Sequence, residues 1–223
     1  MNDDTTLLTA YGALDSAAVS DALDGLVLPP GLGGIRPVWG HRALVGFAAP
    51  VELAPGTPDP SSSGAHIATS AVATSGPEDV LVIAGGGRTD VSCWGGLLSL
   101  GAALRGVRGV VADGACRDVG EAREAGFPVY ARATTPVTAR GRLRQVSSGE
   151  PVRVGPATVA RGDIVVADET GVAFVPRARA HEILRAAQAV ARRESAIAEE
   201  LRGGASLPDA MRDARLAGTE EPH

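Results

Sequence analysis

Aromatic residues are scarce in this sequence, at 3% of 223 positions. A packed core must therefore come from Ala, Val, Leu and Ile, and stacking platforms for single-stranded nucleic acid are nearly absent. The chain also lacks an excess of basic residues, because its formal net charge is −5. A protein that binds the phosphate backbone of nucleic acid usually carries a basic patch. We therefore expect no nucleic-acid partner.

Cysteines and long apolar runs are also few. The two cysteines, Cys93 and Cys116, have no metal-ligand spacing, so small buried core residues are the simpler interpretation. No apolar run approaches the ~20 residues of a membrane span. The start MNDDT is acidic, whereas a signal peptide begins with basic residues. These features predict a cytoplasmic protein with no membrane partner.

Apolar residues make up 44% of the chain, which predicts a globular core. Short apolar runs at 79–84, 109–112 and 128–131 resemble strands buried on both faces, and the glycines at 85–87 are expected to end the first. Helical patterns separate these runs. Strands that alternate with helices predict a parallel sheet with right-handed crossovers.

The flanking segments extend this pattern. Asp15 is a candidate N-cap for a helix over 16–23, a strand is expected over 43–53, and 66–74 looks helical. The loop-like stretch 55–64 is either a lid or a surface loop. Short alternating runs predict antiparallel or mixed β-structure within the same domain, at 137–144, 151–154, 157–159, 163–167 and 172–175. Arg140, Arg142 and Arg144 are interpreted as the solvated face of one such strand.

A long helix is expected over 178–202. Five apolar residues and Glu194 recur along it at spacings of three and four, which places this carboxylate on the buried or partner-facing stripe. Either Glu194 forms a buried ion pair or lies at the edge of the stripe, or it is contributed to a site on a neighbouring subunit. We expect one α/β domain over 1–203, followed over 204–223 by a short helix capped by Ser206 and a polar tail.

Two points concentrate polar chemistry. One is a helix start at 95–98, and the other is the turn DGACRD at 113–118. The guanidinium of Arg117 can hold both oxygens of a carboxylate, or one of them and a neighbouring keto oxygen. Asp118 is a hard oxygen ligand suited to Mg²⁺, and backbone amides at a helix start favour an anion. These parts fit a 2-oxo acid bound to a divalent metal, although a structural turn with an ion pair is the alternative.

The sequence around these two points resembles a known family. The run GLLSLGAALRGVRGVVADGACRDVGEAREAGFPVYAR is similar to the class II pyruvate aldolases that act on 4-hydroxy-4-methyl-2-oxoglutarate, a family that includes the regulator of ribonuclease E activity A, RraA. The similarity continues through ARGDIVVADETGVAFVP and ARRESAIAEELRGG, and reaches back to VSDALDG.

The resemblance implies a swivelling β/β/α-type fold with a mixed sheet and a long C-terminal helix. It implies a homo-oligomer, either a trimer or a hexamer, with sites between subunits. It also assigns roles: Asp118 would hold Mg²⁺ or Mn²⁺ largely through water, and Arg117 would bind the substrate carboxylate and keto oxygen. The backbone at Gly95, Gly96, Leu97 and Leu98 would complete the pyruvate site, while Asp21 and Glu194 would come from the adjacent subunit.

One position departs from the family pattern. The aldolases carry Asp or Glu twenty-one residues before the arginine, where this chain has Gly96, and Asp90 is a weak substitute. The leading hypothesis is a metal-dependent lyase that releases pyruvate or its enolate from a 2-oxo diacid, with oxaloacetate decarboxylation close in mechanism. The alternative is a non-catalytic, RraA-like regulator of a ribonuclease assembly. No glycine-rich cofactor motif supports a methyltransferase.

Overall fold

A computed structural model of the chain describes residues 3–40, 43–57 and 66–212. The helices are α1 Asp3–Tyr11, α2 Ser16–Gly25, α3 Thr69–Thr74, α4 Gly96–Leu104, α5 Val119–Glu124, α6 Ala180–Arg202 and α7 Leu207–Ala210, with a 3₁₀ turn at Arg177–Arg179. The strands are β1 Arg36–Pro37, β2 Leu44–Pro55, β3 Asp79–Trp94, β4 Gly109–Cys116, β5 Val129–Thr134, β6 Leu143–Ser148, β7 Val152–Val154, β8 Ala157–Val159, β9 Ile164–Ala167 and β10 Val172–Val175.

The main sheet is mixed and has eight strands, in the order β1-β5-β4-β3-β2-β9-β10, with β6 also paired to β2. The strands β2, β3, β4 and β5 are parallel and are linked in turn by α3, α4 and α5. The remaining strands of this sheet are antiparallel to their neighbours. This arrangement confirms the predicted α/β fold with a mixed sheet and a long C-terminal helix.

The sheet is nearly closed on itself. A bridge between Leu32 and Val172 brings the segment before β1 against β10. The inner residues form one apolar cluster that includes Ile35, Val111 and Tyr130. A second cluster lies under α3, α4 and α5, and a third lies under α1, α2 and α6. Packing on both faces explains why the parallel strands are continuous apolar runs.

The predicted end of the first buried strand at residues 85–87 is wrong. The strand β3 continues to Trp94, and its register against β4 shifts between Ile83 and Arg88. The glycines form an irregularity within the strand, because Gly86 and Gly87 adopt φ values of 67° and 71°. A Cβ at Gly85 would lie 2.8 Å from the Asp113 carbonyl oxygen, so glycine is needed where the strands approach.

Three other predicted boundaries are also wrong. Most of the expected turn 113–118 is strand, because β4 pairs with β3 as far as Cys116. The helix expected over 66–74 is confined to α3, and the strand expected over 137–144 begins only at Leu143. Of the three clustered arginines, Arg144 alone lies on a strand. The predicted loop or lid at 55–64 lies mostly outside the described residues.

The helices α2 and α6 follow the sequence pattern more closely than these segments do. Asp15 caps α2 by accepting a hydrogen bond from the Ala18 amide, as predicted. The apolar stripe of α6 is buried at Ile183, Ala187 and Ile197, but Glu194 is exposed. The prediction that Glu194 is buried within its own chain is therefore wrong, because α6 does not pack against the rest of the domain at this residue. The described residues contain no helix long and apolar enough to cross a membrane.

Candidate functional site

A cavity of about 560 Å³ opens where β3 and β4 end and α4 and α5 begin. The carboxyl ends of parallel strands lie at one edge of a sheet, where loops and helix starts converge. This geometry brings together two stretches that are about twenty residues apart in the chain. The cavity is lined by His66, Ile67, Ser92, Cys93, Trp94, Gly95, Gly96, Leu97, Leu98, Arg117, Asp118, Glu121, Thr138, Ala139 and Arg140.

Arg117 and Asp118 occupy the short turn between β4 and α5. The Arg117 amide donates to the Trp94 carbonyl oxygen at 3.0 Å, which ties this turn to the end of β3. Asp118 adopts a left-handed conformation with φ 56°. Such a conformation is uncommon for a residue other than glycine and often occurs at functional sites.

The Asp118 carboxylate is held at one oxygen. Its Oδ2 accepts a hydrogen bond from Nε of Arg117 at 2.9 Å and another from the Gly96 amide at 3.2 Å. The Arg117 side chain is 38% exposed and the Asp118 side chain is 29% exposed. Among the described residues, nothing bonds to Oδ1 of Asp118 or to the terminal nitrogens of Arg117. These atoms are therefore available to a ligand in the cavity.

The start of α4 presents two further donors. An α-helix leaves its first amides without internal acceptors, and Gly95, at the N-cap, has no side chain to supply one. The Gly96 amide is bound to Asp118, and the Ser99 amide donates to the Gly95 carbonyl oxygen at 3.0 Å. The amides of Leu97 and Leu98 have no acceptor in the described part of the chain. They lie at the positive end of the helix dipole.

Two basic residues that the sequence analysis did not place here also line the cavity. Arg140 lies in the turn before β6, and His66 lies just before α3. The Ser92 amide donates to the Val137 carbonyl oxygen at 2.9 Å, which ties the segment before Arg140 to β3. Partial burial and the positive charges of Arg140 and Arg117 lower the pKa of His66. The nearby arginines are distant in sequence, so no local pattern identified this cluster.

A carboxylate from α5 also borders the cavity and had no predicted role. Glu121 lies in the first turn of α5, directly against Gly96 at the start of α4. A Cβ built on Gly96 would overlap the Glu121 carboxylate oxygen and lie 2.6 Å from its Cδ. By contrast, Asp90 is exposed, pairs with Arg88 and does not line the cavity.

The other predicted acidic residues, Asp21 and Glu194, do not line this cavity. Asp21 lines a separate pocket of about 230 Å³ between α2 and the turn before β10. Asp168 fixes this second pocket, because its carboxylate accepts hydrogen bonds from the amide and the hydroxyl of Ser16, both at 2.7 Å. A single copy of the chain therefore does not bring all the predicted site residues together.

The cysteines are not suited to nucleophilic chemistry. Both are buried, as the composition predicted. Burial raises the pKa of the Cys93 thiol to about 12 and that of Cys116 to about 11. Neither forms a thiolate near neutral pH, and the thiolate is the reactive form.

The donor set fits a metal ion that keeps much of its water. The described residues contain no cluster of three or more His, Cys, Asp or Glu side chains that could enclose a metal ion. Asp118 nevertheless offers one carboxylate oxygen toward the cavity. Mg²⁺ commonly binds through one or two carboxylates and fills its other positions with water and substrate.

Comparisons with known proteins show which family the chain belongs to. A family model described as RraA-like, Aldolase/RraA, matches residues 16–174. The chain is 29% identical to a Halalkalibacterium halodurans protein named "Putative 4-hydroxy-4-methyl-2-oxoglutarate aldolase", with 81% of each chain covered. It is 28% identical to Legionella pneumophila DlpA over 89% of its own length, but spans only 32% of that longer protein.

A solved structure extends the comparison to the fold. Streptomyces coelicolor RraAS2, titled an unusual member of the RNase ES inhibitor RraA protein family, superposes with a TM-score of 0.78 at 26% identity. The match covers 90% of this chain and 100% of that one. The family match contains Arg117, Asp118 and the start of α4. The chain therefore belongs to the RraA-like family.

Proposed function

We propose that the chain is a divalent-metal-dependent lyase that cleaves a carbon–carbon bond of a 2-oxo diacid and releases pyruvate. The observation that carries this proposal is the Arg117–Asp118 pair in the cavity, beside the Leu97 and Leu98 amides, which have no acceptor among the described residues. The guanidinium and the amides suit a carboxylate anion, and the Asp118 carboxylate suits a metal ion. A 2-oxo acid that is bound together with a metal ion uses both groups.

The binding step uses the free donors. The terminal nitrogens of Arg117 form a planar fork that matches a carboxylate, or a carboxylate oxygen together with the 2-keto oxygen. The Leu97 and Leu98 amides bind the remaining carboxylate oxygen at the positive end of α4. Because Nε of Arg117 is already bound to Asp118, the fork is held in one orientation before substrate arrives.

Asp118 is the residue that would hold Mg²⁺ or Mn²⁺, largely through water, and its Oδ1 has no partner among the described residues. When bound, such a metal acts as a Lewis acid that favours negative charge on the 2-keto oxygen. The hydrogen bonds from Arg117 and Gly96 orient the Asp118 carboxylate. Outer partners of this kind raise metal affinity by fixing the ligand geometry.

Arg140 gives the cavity a second cationic group, which suits a substrate with two acidic groups. Arg140 lines the cavity, and no carboxylate of the described residues pairs with its guanidinium. An arginine left unpaired beside an anion site can bind the distal carboxylate of a diacid. This supports a dicarboxylic substrate over a simple 2-oxo acid, and both 4-hydroxy-4-methyl-2-oxoglutarate and oxaloacetate meet that description.

The complete site is proposed to lie between copies of the chain. The helix α4 exposes Leu97, Leu100 and Leu104, which lie on one face at spacings of three and four; Leu97 is 83% exposed and Leu104 is 81% exposed. An exposed apolar stripe that begins at the site is suited to contact with a second copy. Asp21 and Glu194 of that copy would then supply carboxylates to metal-bound water.

Pyruvate release tests the proposal. The purified chain is incubated with Mg²⁺ and either 4-hydroxy-4-methyl-2-oxoglutarate or oxaloacetate, and pyruvate is measured with a coupled dehydrogenase. We expect turnover of at least one diacid, loss of turnover in EDTA and recovery when Mg²⁺ is restored. Turnover that is equal with and without EDTA would contradict the role of the metal.

The similarity to RraAS2 favours one other candidate, a non-catalytic regulator that binds a ribonuclease assembly. Such binding would use the protein surface and would not need Asp118. The two candidates are separated by Asp118→Asn. A regulator keeps its partner binding in this variant and in EDTA, whereas a lyase loses pyruvate release.

A further inference from the structure

The Glu121 side chain occupies the space that a side chain at position 96 would fill. A Cβ on Gly96 would overlap the Glu121 carboxylate and would lie 2.8 Å from the Glu121 Cβ. A glycine at this position therefore lets α5 bring its carboxylate against the start of α4. Any larger residue at position 96 would displace Glu121 from this part of the cavity wall.

The Glu121 carboxylate also faces the cavity without a hydrogen-bond partner among the described residues. Within the described ranges it has no hydrogen bond or ion pair, and it lines the same cavity as Arg117 and Asp118. Asp118 differs, because its Oδ2 is held by Arg117 and by the Gly96 amide. Of these two cavity carboxylates, Glu121 alone has neither oxygen engaged within the described residues, so either oxygen can accept a proton from a bound substrate.

We propose that Glu121 is the proton-transfer carboxylate of this cavity. This inference rests on the lyase function proposed above. A retro-aldol cleavage needs a base for the C4 hydroxyl and then an acid for C3. The Glu121 carboxylate meets both needs in turn, beside the fork of Arg117 that binds the other end of the substrate.

The proposed proton transfer balances within one turnover. Glu121 accepts the proton of the C4 hydroxyl, and the electrons of that O–H bond form the C4 carbonyl. The C3–C4 bond breaks, and its electron pair becomes the C2–C3 double bond of the pyruvate enolate. Glu121 then returns the same proton to C3, which forms the methyl group of pyruvate. Oxaloacetate decarboxylation needs no base for its bond cleavage, because the departing carboxylate carries no hydroxyl proton. Glu121 therefore receives no substrate proton in that reaction, and C3 of the enolate takes its proton from water.

This difference between the substrates provides the test. Glu121→Gln keeps the shape of the side chain but removes its basicity. We expect retro-aldol cleavage of 4-hydroxy-4-methyl-2-oxoglutarate to fall by about 10²-fold or more, with oxaloacetate decarboxylation changed much less. Glu121→Asp should restore part of the activity, and the matched control is Glu124→Gln, an exposed carboxylate on the same helix.

The outcomes separate this inference from the proposed function. An inactive wild-type chain with both diacids would overturn the lyase function itself. An active wild-type chain, with Glu121→Gln unchanged on both substrates, would overturn only the role of Glu121. An equal loss on both substrates would also contradict it, because a general structural defect affects cleavage with and without a hydroxyl proton.

The contact between Gly96 and the Glu121 side chain can be tested by thermal unfolding, without metal or substrate. We expect Gly96→Ala to lower the midpoint temperature of unfolding of the apoprotein, because the added methyl group would overlap the Glu121 side chain. In a Glu121→Gly background the added methyl group has room, so the same substitution should cost much less. Thermal unfolding of the four proteins gives the coupling between the two positions. Additive effects would contradict the close contact on which the inference depends.

Discussion

Nε of Arg117 donates a hydrogen bond to Oδ2 of Asp118 at 2.9 Å, between adjacent residues in the turn after β4. The bond uses the one guanidinium nitrogen that cannot join a terminal two-nitrogen fork. It also leaves Oδ1 of Asp118 open. In the proposed function, this contact orients the Arg117 guanidinium toward a substrate carboxylate and leaves Oδ1 of Asp118 for a metal ion.

Arg140 should set the preference for diacids. We expect Arg140→Gln to raise KM for oxaloacetate by about 10-fold, because a charged hydrogen bond to the distal carboxylate is lost. Binding of pyruvate, which has one carboxylate, should change little. Arg144→Gln is the matched control, since Arg144 is exposed on β6 and does not line the cavity. Equal effects on pyruvate and oxaloacetate would argue against a distal subsite.

Asp168 should stabilise the fold in a pH-dependent way. Burial alone would raise the pKa of Asp168, but hydrogen bonds from Ser16, Thr170 and Gly171 outweigh it and lower this pKa. The carboxylate therefore contributes stability above its unfolded pKa of about 4, and this contribution is lost as the pH falls through the folded value.

The corresponding variant is Asp168→Asn. We expect the free energy of unfolding at pH 7 to fall by about 1–3 kcal/mol, because an amide nitrogen faces donors of Ser16. The difference from wild type should narrow as the pH falls below about 4. Urea unfolding over a pH series measures this, with Asp24→Asn, an exposed carboxylate on α2, as the control. A difference that is constant with pH would contradict the account.

The leucine stripe of α4 should hold copies of the chain together. Replacement of Leu100 and Leu104 by Asp would bury charge in the proposed contact, so we expect the oligomer to dissociate. Sedimentation velocity reports the change in mass, and circular dichroism checks that the fold persists. Leu207→Asp, at an exposed leucine on α7, is the control. An unchanged oligomer in the double variant would place the contact elsewhere on the molecule.

The sequence predicted the fold well where local patterns and tertiary structure agree. Apolar runs identified the parallel strands, and Asp15 identified the start of α2. The glycines at 85–87 were misleading because a strand irregularity and a turn use the same residues, and only the close approach of β4 distinguishes them. Glu194 was placed on the buried or partner-facing stripe of α6. It is exposed in the single chain, so burial within the chain is wrong, and its place on a partner-facing surface stays a prediction.

The site was predictable only in part for a similar reason. Arg117, Asp118 and the start of α4 are recognisable because each lies in a continuous motif. Arg140 and His66 join the cavity through turns distant in sequence, so no spacing reveals them. The glycine at position 96 looked like a missing carboxylate, whereas the structure has Glu121 in the adjoining space. A carboxylate supplied by a different helix cannot be read from one position of a motif.

The most direct measurement of the central claim is deuterium exchange into the methyl group of pyruvate, followed by proton NMR in heavy water. Exchange reports formation of the enolate whatever the natural substrate is. We predict exchange by the wild-type chain with Mg²⁺, and loss of it in EDTA. Asp118→Asn should reduce it by about 10²-fold or more, because Lewis-acid stabilisation is worth several kcal/mol. Undiminished exchange in EDTA or in Asp118→Asn would contradict the account.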